Sequence, residues 1–128
     1  FLRFLCISLF NVLFPCYLWC CPATIGTLTI TDPVIIFYKG DVPGAGYLTI
    51  TQTGLQPDNL ISVSLSNQPG STTSSARIEL HDHVPTMQNG QDVMKMVKLE
   101  KVEIPAAQGN QASTINFKQG GKHLMLYN

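Results

Sequence analysis

Imidazole and thioether side chains are concentrated in the last third of this chain. All three histidines (His81, His83, His123) and all four methionines (Met87, Met94, Met96, Met125) fall between residues 78 and 128. Most of them sit in three short segments, Glu79-Leu80-His81, Val93-Met94-Lys95-Met96 and Gly120-Gly121-Lys122-His123-Leu124-Met125-Leu126. Side chains alternate faces along an extended strand, so His123 and Met125 project from one side, as do Met94 and Met96. Imidazole and thioether together make a ligand set for a soft metal, with copper(I) the first candidate. Soft sulfur is a poor partner for magnesium, calcium or manganese. Zinc prefers thiolate, imidazole or carboxylate.

Thiolate is confined to the other end of the chain. Cys6, Cys16, Cys20 and Cys21 all lie in Phe1–Cys21, an almost wholly apolar run with one charge, Arg3, near its start. Pro22-Ala23 follows, and the composition turns polar at Thr24. A basic start, an apolar run and a small residue at the junction describe a secretory signal peptide over residues 1–23. An uncleaved amino-terminal anchor is the rival, since the run nearly reaches the length that spans a bilayer. Pro15 and Asn11 interrupt it and favour the signal; Trp19 before Cys20 fits a lipoprotein site poorly. Residues 24–128 then form one thiol-free domain in a periplasmic or secreted setting. Disulfide staples and cysteine-based zinc sites are excluded there, and any metal is held by nitrogen, oxygen or thioether sulfur.

Strands must position these ligands, because nothing in residues 24–128 keeps a helical apolar period. Thr27–Thr31, Gly46–Thr51 and Leu60–Leu65 alternate apolar and polar residues. Val34–Tyr38, Arg77–His81, Val93–Val97, Lys101–Ile104, Ser113–Phe117 and Leu124–Tyr127 are further strand candidates. Short strands punctuated by Gly, Pro, Asn and Asp predict an all-β antiparallel sandwich or barrel. Asp32-Pro33 reads as a break, Ser66–Ser75 as a polar loop. Leu28, Ile30, Leu48, Ile50, Ile61, Val63, Ile78 and Leu80 are the expected core. The last strand ends the chain with no turn or partner after it, which predicts an exposed edge.

Composition excludes several functions. Charged residues are 12% of the chain, and without residues 1–23 seven basic groups face eight acidic ones. A near-neutral domain with no basic cluster argues against nucleic acid and against anionic lipid, leaving no membrane partner beyond the signal or anchor. No nucleophile elbow, Ser/His/Asp layout or paired carboxylate is legible, and no helix follows Gly120-Gly121 to make a phosphate site. The chain reads as a non-enzyme.

The same blocks resemble a known family. Gly44-Ala45-Gly46-Tyr47-Leu48-Thr49-Ile50, Glu79-Leu80-His81, Val93-Met94-Lys95-Met96, Glu103-Ile104-Pro105-Ala106 and the segment Gly120–Leu126 are similar, in that order, to the periplasmic copper chaperones of the PCu(A)C type. The resemblance spans residues 44 to 126. It implies a cupredoxin-like Greek-key β-barrel or sandwich, here missing its last strands. It implies copper(I) held by His81, Met96, His123 and Met125, and delivery to the copper centre of cytochrome c oxidase, a membrane oxidase subunit or another copper protein.

The sequence departs from the family at several points. The gaps before Met96 and before His123, residues 82–95 and 97–122, are both longer, and the extra residues are assigned to loops at 83–92 and 108–111. Val97-Lys98 stands where the family has Arg-Pro, and Gln119 where it has Pro. His83 competes with His81 as first ligand, being two residues away on the same face. Met87 reads as a loop residue and Met94 as core; with His83 they are auxiliary ligand candidates. Tyr47 and Tyr127 read as cross-strand packing residues. Glu79, Asp82, Glu100 and Glu103 read as solvated charges. The alternative function is an extracellular β-sandwich that binds protein or glycan, its methionines merely packed inside. A redox cupredoxin would need a Cys ligand that residues 24–128 lack.

Overall fold

The computed structural model describes residues 22–65 and 77–127, and every element in them is a β-strand or its connection. The strands are β1 (Ala23–Ile25), β2 (Leu28–Ile36), β3 (Gly44–Gln52), β4 (Asp58–Leu60) and β5 (Arg77–Gln88). They continue with β6 (Gln91–Leu99), β7 (Val102–Ile104), β8 (Ser113–Asn116) and β9 (His123–Tyr127). All pairings are antiparallel. The large sheet runs β1-β2-β3-β9-β5-β6, with β8 continuing beside β3 where β9 stops, and β4 pairs β7 separately. The chain is all-β, as the alternation predicts. β1 and β6 sit at opposite ends of the order and do not pair, so the architecture is a sandwich and the barrel alternative is not met. Among the described residues no helix is long and apolar enough to cross a membrane. The four cysteines, residues 1–21 of the expected signal segment and the whole Ser66–Ser75 loop lie outside the described residues, while Ala23 begins β1.

One face of the large sheet builds the core with the β4–β7 pair. Leu28, Ile30, Leu48, Ile50, Leu80, Leu124 and Leu126 meet Leu60, Val102, Ile104 and Phe117. Of the expected core, Val63 and Ile78 are only partly buried. Ile61 is 50% exposed and Leu60, at 2%, takes its place. β4 ends at Leu60, so the alternation through Leu65 belongs to an irregular segment rather than a strand. Asp32-Pro33 does not break its strand. β2 passes through them with a bulge between Thr31 and Val34, where Asp32 adopts a φ of +52°. A bulge absorbs the extra residue and lets the ladder resume.

Two further expectations are corrected, and both bear on the candidate ligands. The last strand is not an edge: β9 lies between β3 and β5, paired on both sides. The residues between His83 and Asp92 are not a loop. They form the outer part of a long β5–β6 hairpin closed by Asn89-Gly90, both at positive φ (+52° and +77°), as a tight two-residue turn requires. Extra residues shared between two paired arms lengthen the hairpin without turning any side chain to the other face. The second insertion does form a turn, a Gln108–Gln111 bridge around Gly109.

Gly46 fixes how closely β9 approaches. A Cβ there would lie 3.0 Å from Cβ of Leu124, an atom tied to its own backbone and unable to swing away. Gly46→Ala therefore pushes on the strand that carries His123 and Met125. It is expected to lower stability by about 1–3 kcal/mol, measured by urea unfolding; an unchanged midpoint would show that β9 has slack at this point.

Candidate metal centre

β5 and β9 turn Leu80, Leu124 and Leu126 into the core and β6 packs Leu99 against it, so alternation sends the residues between them to the outer face. There the register forms successive rows. Met125 faces Glu79; His123 faces His81, which faces Lys98 on its other side; and His83 faces Met96. Farther out along the hairpin, Pro85 faces Met94 and Met87 faces Asp92. Rows on one face are about 7 Å apart. His81, His123, His83 and Met96 thus fall in two adjacent rows, with Met125 in the row on the other side of His123.

The three imidazoles form one cluster. Ring centroids are 5.7 Å apart for His81 and His123, and 5.2 Å for His83 and His123. His81 and His123 are only 7% and 6% exposed, unusual for polar residues on the outer side of a sheet. Both candidates for first ligand lie in the cluster: His81 is opposite His123, and the His83 ring is tilted beside it.

Hydrogen bonds decide which nitrogen of each ring is free. His123 Nδ1 is 2.9 Å and His83 Nδ1 3.3 Å from the carbonyl oxygen of Gly121, which can only accept. Both rings therefore carry the proton on Nδ1, and in the neutral form Nε2 holds the lone pair. His81 is oriented the other way. Its Nε2–H donates to Glu79 Oε2 at 2.9 Å, and its Nδ1 is buried with no hydrogen-bond partner among the described residues. A buried acceptor left unpaired costs on the order of 1–3 kcal/mol. Donation of the other ring N–H to a carboxylate or carbonyl is the arrangement that orients a ligating histidine and raises its basicity. All three rings have it.

Glu79 is not a solvated charge. Its carboxylate, 13% exposed, also accepts from Arg77 and from Lys98 Nζ, each at 3.3 Å. The hydrogen bond from His81 is the main influence holding its carboxyl below the ordinary value. Lys98 and Arg77 add to that, while partial desolvation opposes them. Asp82, on the other face, pairs with Lys122 at 3.0 Å and braces the turn before β9. Glu79 and Gly121 are the residues that sequence reasoning missed. The Glu79-x-His81 spacing, which places both side chains on one strand face, was the available signal.

The thioethers divide into two groups. Met125 is half-buried, and its sulfur accepts the Tyr127 hydroxyl at 3.0 Å, while Arg77 stacks over the Tyr127 ring. Met96 is 44% exposed beside the imidazoles. Met94, expected in the core, is instead 59% exposed; Met87 is on β5 rather than in a loop and is 68% exposed. Tyr47 and Tyr127 do pair across strands, with Val34 and Arg77. Among the described residues no group of three or more His, Cys, Asp or Glu side chains is placed to hold a metal ion. Any metal here would need the thioethers as well.

A lowered carboxyl stabilises the fold above its unfolded-state pKa, ordinarily 4.5, and that contribution is lost as pH falls through the folded value. Glu79→Gln should therefore lower stability at pH 6 to 7, and the deficit should shrink as pH falls below about 4.5, flattening the acid limb of the stability–pH profile. Superimposable denaturation profiles at pH 6 to 7 would show that the Glu79 contacts add nothing to stability.

No curated protein matches the chain. A family model does match, over residues 28–128: the LpqE-like family, described as "Putative lipoprotein LpqE-like". The match takes in every strand from β2 to β9 and all the residues of the imidazole and thioether face, and the chain belongs to the LpqE-like family.

Proposed function

We propose that this LpqE-like protein is an envelope-associated copper(I) carrier, and that the outer face of β9, β5 and β6 holds the ion. The observation that supports this best is the His81 ring. It is buried against His123, its Nε2–H is fixed by Glu79, and its Nδ1 lone pair is left without a partner. His81, His123, Met96 and Met125 are the proposed ligands, with His83 in a position to share or replace His81. Neutral imidazole and thioether suit a monovalent soft ion, which here is cargo. The envelope setting rests on the family's description as lipoproteins. Resemblance to the PCu(A)C chaperones supports delivery to the copper centre of cytochrome c oxidase or a similar acceptor.

Grip and release come from different donors in this reading. The imidazoles are buried and hydrogen-bonded in place, so they keep the ion. Met96 is exposed and flexible, and a thioether is a weak neutral donor. An acceptor ligand enters as Met96 leaves, with no change in oxidation state and no proton moved. The alternative, a protein- or glycan-binding sandwich without metal, called for His123 buried away from any other histidine. His123 here has two rings beside it.

Copper-loaded protein should show mixed nitrogen and sulfur neighbours by X-ray absorption. His123→Ala and Met125→Leu should each weaken copper(I) binding at this site by at least about tenfold, or 1.4 kcal/mol. A spectrum fitted by oxygen and nitrogen alone would contradict the proposal.

A further inference from the structure

Three of the four methionines stand where the core does not need them. Beyond the imidazole rows the β5–β6 register runs unbroken to the turn, with Met96 opposite His83, Met94 opposite Pro85 and Met87 opposite Asp92. Directly opposed residues share a face, and so do residues two apart on a strand, so all three thioethers project from the same side of the arm. They are 44%, 59% and 68% exposed. The other side of the arm carries the partly buried Val84, Thr86, Val93 and Val97. Packing therefore accounts for the valines and leaves the methionines unexplained.

Their spacing suits a shared ion. Met94 lies one row, about 7 Å, from Met96, and Met87 is its diagonal neighbour across the hairpin, at about 7–8 Å. Met87 and Met96 are two rows, about 14 Å, apart, so the three rotatable bonds of each side chain must bring both sulfurs over Met94 in the middle row. No basic residue stands on this face outward of Met96, because Lys95, opposite Val84, points to the other side. The one charge there is the carboxylate of Asp92, which attracts a cation.

We propose that the outer arm carries a second, weaker copper(I) site made by the thioethers of Met87, Met94 and Met96, a loading station for the imidazole site. This rests on the carrier reading above. Met96 belongs to both sites. It stays bound while Met87 and Met94 leave and the imidazole of His83 enters through Nε2, which is free because Nδ1 donates to Gly121. The step exchanges neutral ligands on copper(I), so neither an electron nor a proton is transferred.

The test is a titration with silver(I), a redox-inert stand-in for copper(I), on protein carrying carbon-13 methionine methyl groups. The first equivalent should shift the methyl signals of Met96 and Met125, and the second those of Met87 and Met94. A Met87→Leu/Met94→Leu double variant, close in volume to the original, should lose the second equivalent and keep the first. His123→Ala should lose the first while Met87 and Met94 still respond. Stationary Met87 and Met94 signals through two equivalents, or a second equivalent surviving in the double variant, would overturn the arm site alone. Silence at every methionine would overturn the carrier reading with it.

Discussion

The pairing of β9 with β5 is the constraint on which the rest of this structure depends. It sets His81 directly opposite His123, in a ladder whose inner face is locked by Leu80, Leu124 and Leu126. Because side chains alternate, anchoring the leucines inward fixes the imidazoles and Met125 outward. A slip of one residue would bury the imidazoles in the core and expose the leucines. The hydrophobic effect thus does the aiming: several leucine-sized side chains, each worth about 1.5–3 kcal/mol when buried, hold the register. Gly46 completes the arrangement by letting Leu124 sit against β3.

Burying two imidazoles on an outer face has a cost, and the surrounding groups offset only part of it. Glu79 and the Gly121 carbonyl take one N–H from each ring, satisfying the donors and fixing the rings. What stays unsatisfied is acceptor capacity, at Nδ1 of His81 above all. An ordinary structural histidine in a sheet would be expected to pair both nitrogens or expose one. A ring held in place with an idle lone pair suits a site that waits for a Lewis acid. In the proposed carrier role, the exposed thioethers on the adjoining arm would give the same face a labile side.

Much of this was legible in the sequence. Alternation and turn residues gave the β class, the central strands and most of the core, since a half-buried strand writes its own period. The histidine- and methionine-bearing segments were also visible, because histidine and methionine two residues apart must share a strand face. What failed depended on partners far away in the chain. Leu60 and Ile61 cannot be told apart without knowing which side of β4 meets Ile50 and Ile104. The final strand looked like an edge because its two neighbours are set by long-range pairing. The stretch from His83 to Asp92 looked like a loop because it holds the extra residues relative to the PCu(A)C family, and Pro85 does not give it away as a strand. Pro85 is tolerated because β5 has already passed the end of β9, so no neighbour on that side needs its missing N–H. Glu79 passed for a surface charge because its role depends on Lys98 and on burial of His81.

The central claim is that a cluster of half-satisfied imidazoles, completed by thioethers, binds copper(I) tightly enough to carry it. Anaerobic competition against a chromogenic copper(I) chelator measures this most directly. The account predicts that the protein withdraws one copper(I) per chain from the chelator, and that a His81→Ala/His123→Ala variant withdraws none. A chelator that keeps its full colour beside excess wild-type protein would contradict it.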